Sequence, residues 1–251
     1  MLLQGKVALI TGAGSGLGRA QAIEYAKEGA KVIVNGLNEE RLAETEKLIK
    51  DNNGTVLSIS ADVSKKEDVQ MMINKALEEF GTVDICVNNA AILADFKASL
   101  DIAEEEWDKI MAVNVKGIYL LTNELLPHML EKGQGTFINV ASIGGTIAGV
   151  GDAAYITSKH AVLGYTKQLA FNYAKDGIRA VSLCPGLIDT PMVRYAINEE
   201  HPAVVRQIAS IPSGHIGSSE DVAQFSAYLA SDKAKHINGV ELKIDGGQSI
   251  G

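Results

Sequence analysis

Residues 6–19 read KVALITGAGSGLGR, and the chain continues as AQAIEYAKEG to residue 29. An apolar, strand-like run gives way to a turn with glycine at positions 12, 14, 16 and 18, and then to a helix-like run. In an open parallel sheet the first strand-to-helix turn is the usual phosphate site, because ligands lie beyond the carboxyl ends of the strands. Glycine lets such a turn take positive φ and lets the unpaired N–H groups of the helix start approach an anion without a Cβ in the way. Gly12, Gly16 and Gly18 are the positions expected to do this. The stretch departs from G-x-G-x-x-G, since Leu17 holds the third glycine position counted from Gly12.

Outward from this turn, further strand-like runs are KVIVNG, TVLSIS, VDICVN, GTFINVAS, IRAVSLCPG and GVELKIDGG. Most are continuous apolar runs rich in β-branched residues, the signature of strands covered on both faces. Helical periodicity is expected at 17–28, 38–51, 65–80, 104–131, 154–175 and 219–231. Ser64 with Glu67 reads as a capping box, and Gly29 and Gly81 follow helix ends. The alternation predicts one doubly wound α/β domain over residues 1–251, a parallel sheet of about seven strands with helices on both faces. Residues 186–217, with Pro191, Pro202 and Pro212, interrupt the rhythm and read as a substrate lid inserted in that domain.

Composition narrows the function. The chain has 251 residues, 46% of them hydrophobic, enough for one substantial core. No apolar stretch approaches the ~20 residues that span a bilayer, and the N-terminus lacks the parts of a signal peptide, so a cytoplasmic location is expected. A net charge of -8 argues against nucleic-acid or anionic-membrane partners and leaves small molecules and other copies of the chain. Cys86 and Cys184 sit in apolar runs and read as buried, reduced core residues. His201 and His215 have no further ligands at metal spacing, so no metal is expected.

YITSK places Tyr155 and Lys159 one helical turn apart on one face. A phenol ordinarily titrates near pH ~10, and a neighbouring ammonium is expected to pull that value down until the group can exchange protons near neutrality. Ser142 closes the GTFINVAS strand at the sheet edge where ligands lie, and its hydroxyl reads either as a binder of substrate oxygen or as a turn serine bonding its own backbone. Asn114 interrupts an apolar stripe of Trp107, Ile110, Met111, Ile118 and Leu121, so its amide is a structural hydrogen-bonder or part of a proton relay.

With these residues in place, the chain resembles the short-chain dehydrogenase/reductase family over its full length. Thr11, Gly12, Gly16 and Gly18 match the family's T-G-x-x-x-G-x-G turn, and Asn114, Ser142, Tyr155 and Lys159 match its Asn-Ser-Tyr-Lys tetrad. Asp62-Val63, the NNA of Asn88 to Ala90, Pro185-Gly186 and Thr190 follow in the family's order. The resemblance implies a Rossmann-type domain with a nicotinamide dinucleotide across the strand ends. The glycine turn would meet the phosphates, with Ser15 and Leu17 also against the cofactor, Gly36 and Leu37 at the adenosine ribose, and Asp62 and Val63 at the adenine. Asn89 and Ala90 would line the adjoining ribose region. Tyr155 and Lys159 would hold the nicotinamide ribose, with Pro185, Gly186, Ile188 and Thr190 around the carboxamide. It also implies that Ser142 steadies a carbonyl, Tyr155 supplies the proton, and Lys159 and Asn114 relay its replacement.

Two departures stand out. Ala91 replaces the glycine that usually follows NNA. At the end of the second strand, VIVNGLNEE has neither the acidic residue of NAD-preferring relatives, at Gly36, nor the cations of NADP-preferring ones, at Leu37 or Ser15. A phosphate without its cation loses more than a hydroxyl on neutral neighbours, so NAD is favoured over NADP, with Arg19 and Arg41 as the residues able to reverse this. Expected activity is hydride exchange with a small secondary alcohol or its ketone. The competing readings are a 3-oxoacyl-carrier-protein-type ketoreductase, for which Lys132 and Lys175 offer little basic docking surface, and a non-catalytic dinucleotide-binding protein, against which the intact tetrad speaks. Ala94, Ile143, Tyr195 and Ile197 are expected near the substrate. The family resemblance also implies a homotetramer.

Overall fold

A computed structural model describes residues 1–250. Seven parallel strands form one sheet in the order β3-β2-β1-β4-β5-β6-β7. They are β1 (Val7–Ile10), β2 (Lys31–Gly36), β3 (Val56–Ser60), β4 (Ile85–Asn88), β5 (Gly135–Val140), β6 (Ile178–Pro185) and β7 (Glu241–Ile244). The strand order reverses between β1 and β4, and that switch point opens the crevice in which such sheets take ligands. The helices are α1 (Gly16–Lys27), α2 (Glu39–Lys50), α3 (Lys66–Phe80), α4 (Glu104–Met111), α5 (Gly117–Lys132), α6 (Ala153–Tyr173), α7 (Pro191–Asn198), α8 (Pro202–Ala209) and α9 (Ser219–Ala230).

The two faces of the sheet bury separate cores, and strand alternation sorts residues between them. Ala8 and Ile10 of β1 pack with Ala22 and Tyr25 of α1 and Val222 of α9. Val7 and Leu9 face the other way, onto Val69 and Met72 of α3 and Leu125 of α5. Each fully buried aliphatic side chain contributes about 1.5–3 kcal/mol relative to exposure. A buried polar join fixes α1 against α9: Gln21 Nε2 donates to Ser226 Oγ at 3.1 Å, and the Tyr25 hydroxyl donates to Ser226 O at 3.1 Å. Burial pushes the Tyr25 phenol far above its ordinary range, so it stays a neutral donor.

Two local expectations change, and one segment gains detail. The capping box at Ser64 does not form; Lys65 is the N-cap of α3 with no side-chain bond, because the Ser64 hydroxyl and N–H both donate to Asp62 Oδ1, at 2.7 and 2.9 Å. The single helix expected at 104–131 is broken by a π turn over Ala112–Lys116. The buried stripe nevertheless runs through it, with Ile110, Asn114, Ile118 and Leu121 all buried, whereas Trp107, one turn earlier in α4, is 36% exposed. The segment 186–217, which interrupts the strand–helix rhythm, holds two short helices. Pro191 and Pro202 stand at the first positions of α7 and α8, where a missing N–H costs nothing.

Candidate active site

The carboxyl edge of β1, β4, β5 and β6 opens into a cavity of about 330 Å³, walled on one side by the glycine turn and on the other by Ser142, Tyr155 and Lys159. The turn is held from behind. Arg19 donates to Gly14 O and, from Nε at 3.0 Å, to Thr45 Oγ1, and it pairs with Glu44 at 2.8 Å. Thr45 in turn donates to Ala13 O at 2.9 Å. Arg19 is therefore occupied in framing the turn, whereas Arg41, in the first turn of α2, is exposed.

The turn suits an anion. Gly12 and Gly16 have φ of +65° and +52°, and a Cβ at Gly18 would lie 2.5 Å from Asn89 Nδ2 and closer still to Gly12 O. Ser15, the N-cap of α1, makes no side-chain cap bond, and the first turn holds no acidic residue. Free N–H groups and an uncompensated dipole thus meet bare backbone, the arrangement that receives a pyrophosphate. Thr11 ties the neighbouring NNA turn into place: its Oγ1 accepts from the N–H groups of Asn89 and Ala90, both at 3.0 Å, and its carbonyl accepts from Asn89 Nδ2 at 2.9 Å.

Ser15, Leu17, Asn89 and Ala90 line the cavity beside the glycines, as do Pro185, Gly186, Ile188 and Thr190 across it. Thr190 is the N-cap of α7 and makes no cap bond, and a Cβ on Gly16 would sit 3.3 Å from its Cβ. Gly36, Leu37, Asp62 and Val63 are not cavity walls. They stand at or just beyond the ends of β2 and β3, where Leu37 is 71% exposed and the Asp62 carboxylate accepts from Ser64.

On the opposite wall, Ser142 follows the end of β5. Its Oγ accepts from Gly144 N at 3.0 Å, which leaves its own proton for a ligand or for the phenol beside it. The structure therefore has Ser142 as a turn serine bonded to its own backbone. Tyr155 and Lys159 share a face of α6, with the ammonium 5.5 Å from the ring centroid. Lys159 Nζ donates to Val140 O at 2.7 Å. The expectation of a lowered phenol pKa does not hold for the ligand-free protein. Burial pushes Tyr155 up to about 12, against the pull of its hydrogen bond with Ser142, and Asp152 and Cys184 push the same way. Burial also brings Lys159 down to about 8. Desolvation opposes both charges at once, and it outweighs their mutual support.

Asn114 does not line the cavity. It lies in the π turn, 1% exposed, with Oδ1 accepting from Ile92 N at 2.9 Å and Nδ2 donating to Ile92 O at 2.9 Å and Ser158 Oγ at 3.0 Å. Its amide braces the 89–98 loop against α6. Asp152 does similar work and was not among the expected residues: Oδ1 accepts from Tyr155 N at 2.8 Å and Oδ2 from Ala94 N at 2.6 Å. The signal available for it was an acidic residue three positions before Tyr155, the N-cap pattern.

Of the residues expected near the substrate, only Ile143 is a wall; Ala94 is buried with Ile110 and Ala154, Ile197 packs within the 186–217 segment, and Tyr195 donates to Asp95. Helical phase turns Met192 and Val193 of α7 inward instead, with Leu93 and Phe96 opposite. Ala91 stands where the extra methyl faces the cavity. His201 caps α8 and stacks on Phe96, with centroids 5.3 Å apart.

A family model described as enoyl-(acyl carrier protein) reductase matches residues 12–249. The 2-(R)-hydroxypropyl-CoM dehydrogenase of Xanthobacter autotrophicus is 40% identical over 245 residues, covering 96% of this chain and 97% of its own. The chain belongs to the short-chain dehydrogenase/reductase family. Solved members superpose closely. The 3-ketoacyl-(acyl-carrier-protein) reductase of Brucella melitensis, complexed with NADH, is 38% identical at a TM-score of 0.89, covering 98% of this chain and 99% of its own. A gluconate 5-dehydrogenase of Burkholderia cenocepacia, in complex with NADP and tartrate, is 29% identical at a TM-score of 0.93, covering 99% and 97%. The protein is thus an oxidoreductase of the short-chain dehydrogenase/reductase type, acting on CH–OH groups with a nicotinamide dinucleotide. No helix among the described residues is long and apolar enough to cross a membrane.

Proposed function

We propose that this short-chain dehydrogenase/reductase interconverts a secondary alcohol and its ketone with Tyr155 as general acid and base. The observation that carries this is the single wall on which the Ser142 hydroxyl, the Tyr155 phenol and the Lys159 ammonium meet, opposite a glycine turn built for a pyrophosphate. A bound dinucleotide supplies the hydride for reduction and accepts it in oxidation. Ser142 donates to the substrate oxygen. Tyr155, kept protonated by burial, gives its proton to that oxygen as the carbonyl carbon is reduced, and takes one back when the alcohol is oxidised. Lys159 would hold the ribose of a bound dinucleotide and support the phenolate left behind. Asn114 and Asp152 act through the placement of α6 and of the 89–98 loop.

Gly12, Ser15, Gly16, Leu17 and Gly18 would hold the pyrophosphate, Gly36, Leu37, Asp62 and Val63 the adenosine end, and Pro185, Gly186, Ile188 and Thr190 the carboxamide end. NAD is the preferred dinucleotide, since Arg19 is committed to Gly14, Thr45 and Glu44 and no side chain at Ser15 or Leu37 offers a cation to a 2′-phosphate, with exposed Arg41 left as the cation that opposes this preference. Residues 186–217 act as the lid of a single domain. A homotetramer accords with Trp107, Tyr119 and Phe171, exposed on α4, α5 and α6, and a cytoplasmic location with two buried free cysteines. Against carrier-bound acyl substrates stands the engagement of Lys132 by Asp84 and Thr82, which removes it from a docking face. Nicotinamide absorbance with a panel of alcohols and ketones tests the proposal: turnover in wild type and its loss in Tyr155→Phe, with dinucleotide binding kept, support it. Undiminished turnover in Tyr155→Phe refutes it.

A further inference from the structure

The lid end of the cavity has a polar feature that hydride transfer leaves unused. Gln207, on α8, is 6% exposed and forms part of the cavity wall. Its Nε2 is buried without a hydrogen-bond partner among the described residues. Its backbone carbonyl accepts from Ser210 Oγ at 2.8 Å, Ser210 N at 3.1 Å and Gln248 Nε2 at 3.5 Å. Buried amides are rarely left orphaned, because the desolvation of the group goes uncompensated. The rest of this end is apolar: Leu93, Phe96, Val150, Leu187, Met192 and Val193.

Charge is as informative as polarity. Among the described residues lining the whole cavity, Lys159 is the one charged side chain, and its Nζ is already bonded to Val140 O. A carboxylate, sulfonate or phosphate seated at the lid end would be desolvated with no cation to meet it, which is strongly unfavourable. A neutral oxygen there would gain a bond from Gln207, whose amide offers a donor or, turned over, an acceptor.

We infer that Gln207 is a specificity-determining residue that hydrogen-bonds a second, uncharged oxygen of the substrate, so that the cavity selects neutral oxygenated ketones and alcohols over anionic ones. The inference rests on the hydride-transfer reading for its first oxygen, held at Ser142 and Tyr155, and adds the second. Met192, 39% exposed beside this end, marks where a cation would have to stand to change the selection.

The probes are cyclohexanone, the para-dione of the same ring, and para-oxocyclohexanecarboxylate, each with reduced dinucleotide. In wild type, kcat/KM is expected to be highest for the dione and lowest for the oxo-carboxylate. Gln207→Met keeps the volume and removes the amide, so it should lower kcat/KM for the dione about tenfold while leaving cyclohexanone within about threefold. Met192→Arg should raise the oxo-carboxylate and leave the dione ahead of cyclohexanone, which keeps the idea testable if Gln207→Met fails to fold. Equal loss on the dione and cyclohexanone in Gln207→Met, or a wild-type preference for the oxo-carboxylate, overturns the inference. Calorimetric binding of the same probes to dinucleotide-loaded Tyr155→Phe separates the two levels. Dione binding that depends on Gln207 without wild-type turnover of any probe sinks the hydride-transfer reading and keeps the second-oxygen contact. Binding of the dione no tighter than cyclohexanone sinks the contact whatever the turnover.

Discussion

The two walls of the cavity are built on different principles. The glycine turn is made of backbone, and it is held by backbone and buried side-chain bonds from Thr11, Arg19 and Thr45, so its shape depends on residues that cannot gain a side chain. The lid wall is made of side chains. It is closed over the cavity by a Tyr195–Asp95 hydrogen bond and a Phe96–His201 stack, both between surface elements, with Asp95 and Phe96 at φ of +55° and +57°. A backbone wall leaves little freedom to change what it binds, whereas a side-chain wall can change its ligand one residue at a time. On the proposed function, that contrast would set a cofactor wall that resists change against a substrate wall that admits it.

The comparison can be broken or sharpened by substitution. Tyr155→Phe sits between the walls and should cost most, about 10²–10⁴ in kcat for either direction, with dinucleotide affinity nearly unchanged by calorimetry. On the backbone wall, Gly18→Val drives a side chain into Gly12 O and Asn89 Nδ2, and should weaken dinucleotide binding by about a hundredfold or more while lowering Tm. A variant that binds normally would show that the turn is not rigid. Asp152→Asn replaces an acceptor of two N–H groups with an amide able to satisfy one. It should lower kcat about tenfold and move the phenol's titration downward, since the Asp152 charge helps hold the Tyr155 pKa up, with dinucleotide affinity unaltered. Tyr195→Phe releases one lid contact and should raise KM about two- to fivefold with kcat and dinucleotide affinity intact. An effect of Tyr195→Phe as large as that of Gly18→Val would erase the distinction between the walls.

The contrast also explains what could be read from the sequence. Backbone features announce themselves: KVALI followed by spaced glycines gives β1, the turn and α1, and continuous apolar runs give a parallel sheet covered on both faces. Tyr155 and Lys159 were legible because helical spacing alone puts them together. The placement of Tyr195 and Ile197 was not, because helical phase within the lid depends on where Pro191 and Pro202 start the helices. The break in the helix expected at 104–131 was not legible either, because a π turn over Ala112–Lys116 has no local marker. The sign of the Tyr155 shift was misjudged because a sequence displays the neighbouring ammonium and hides the burial that opposes it.

Burial that keeps the phenol protonated while bringing Lys159 down to about 8 is the chemical centre of the account. It is tested most directly by the pH dependence of kcat/KM for ketone reduction, which reports the ionisable groups of the free enzyme. A level profile that falls above pH about 8, as Lys159 loses its proton, and a Lys159→Met variant of low activity without that break are predicted. A rate that climbs with pH through the same window, or a break that survives in Lys159→Met, would contradict it.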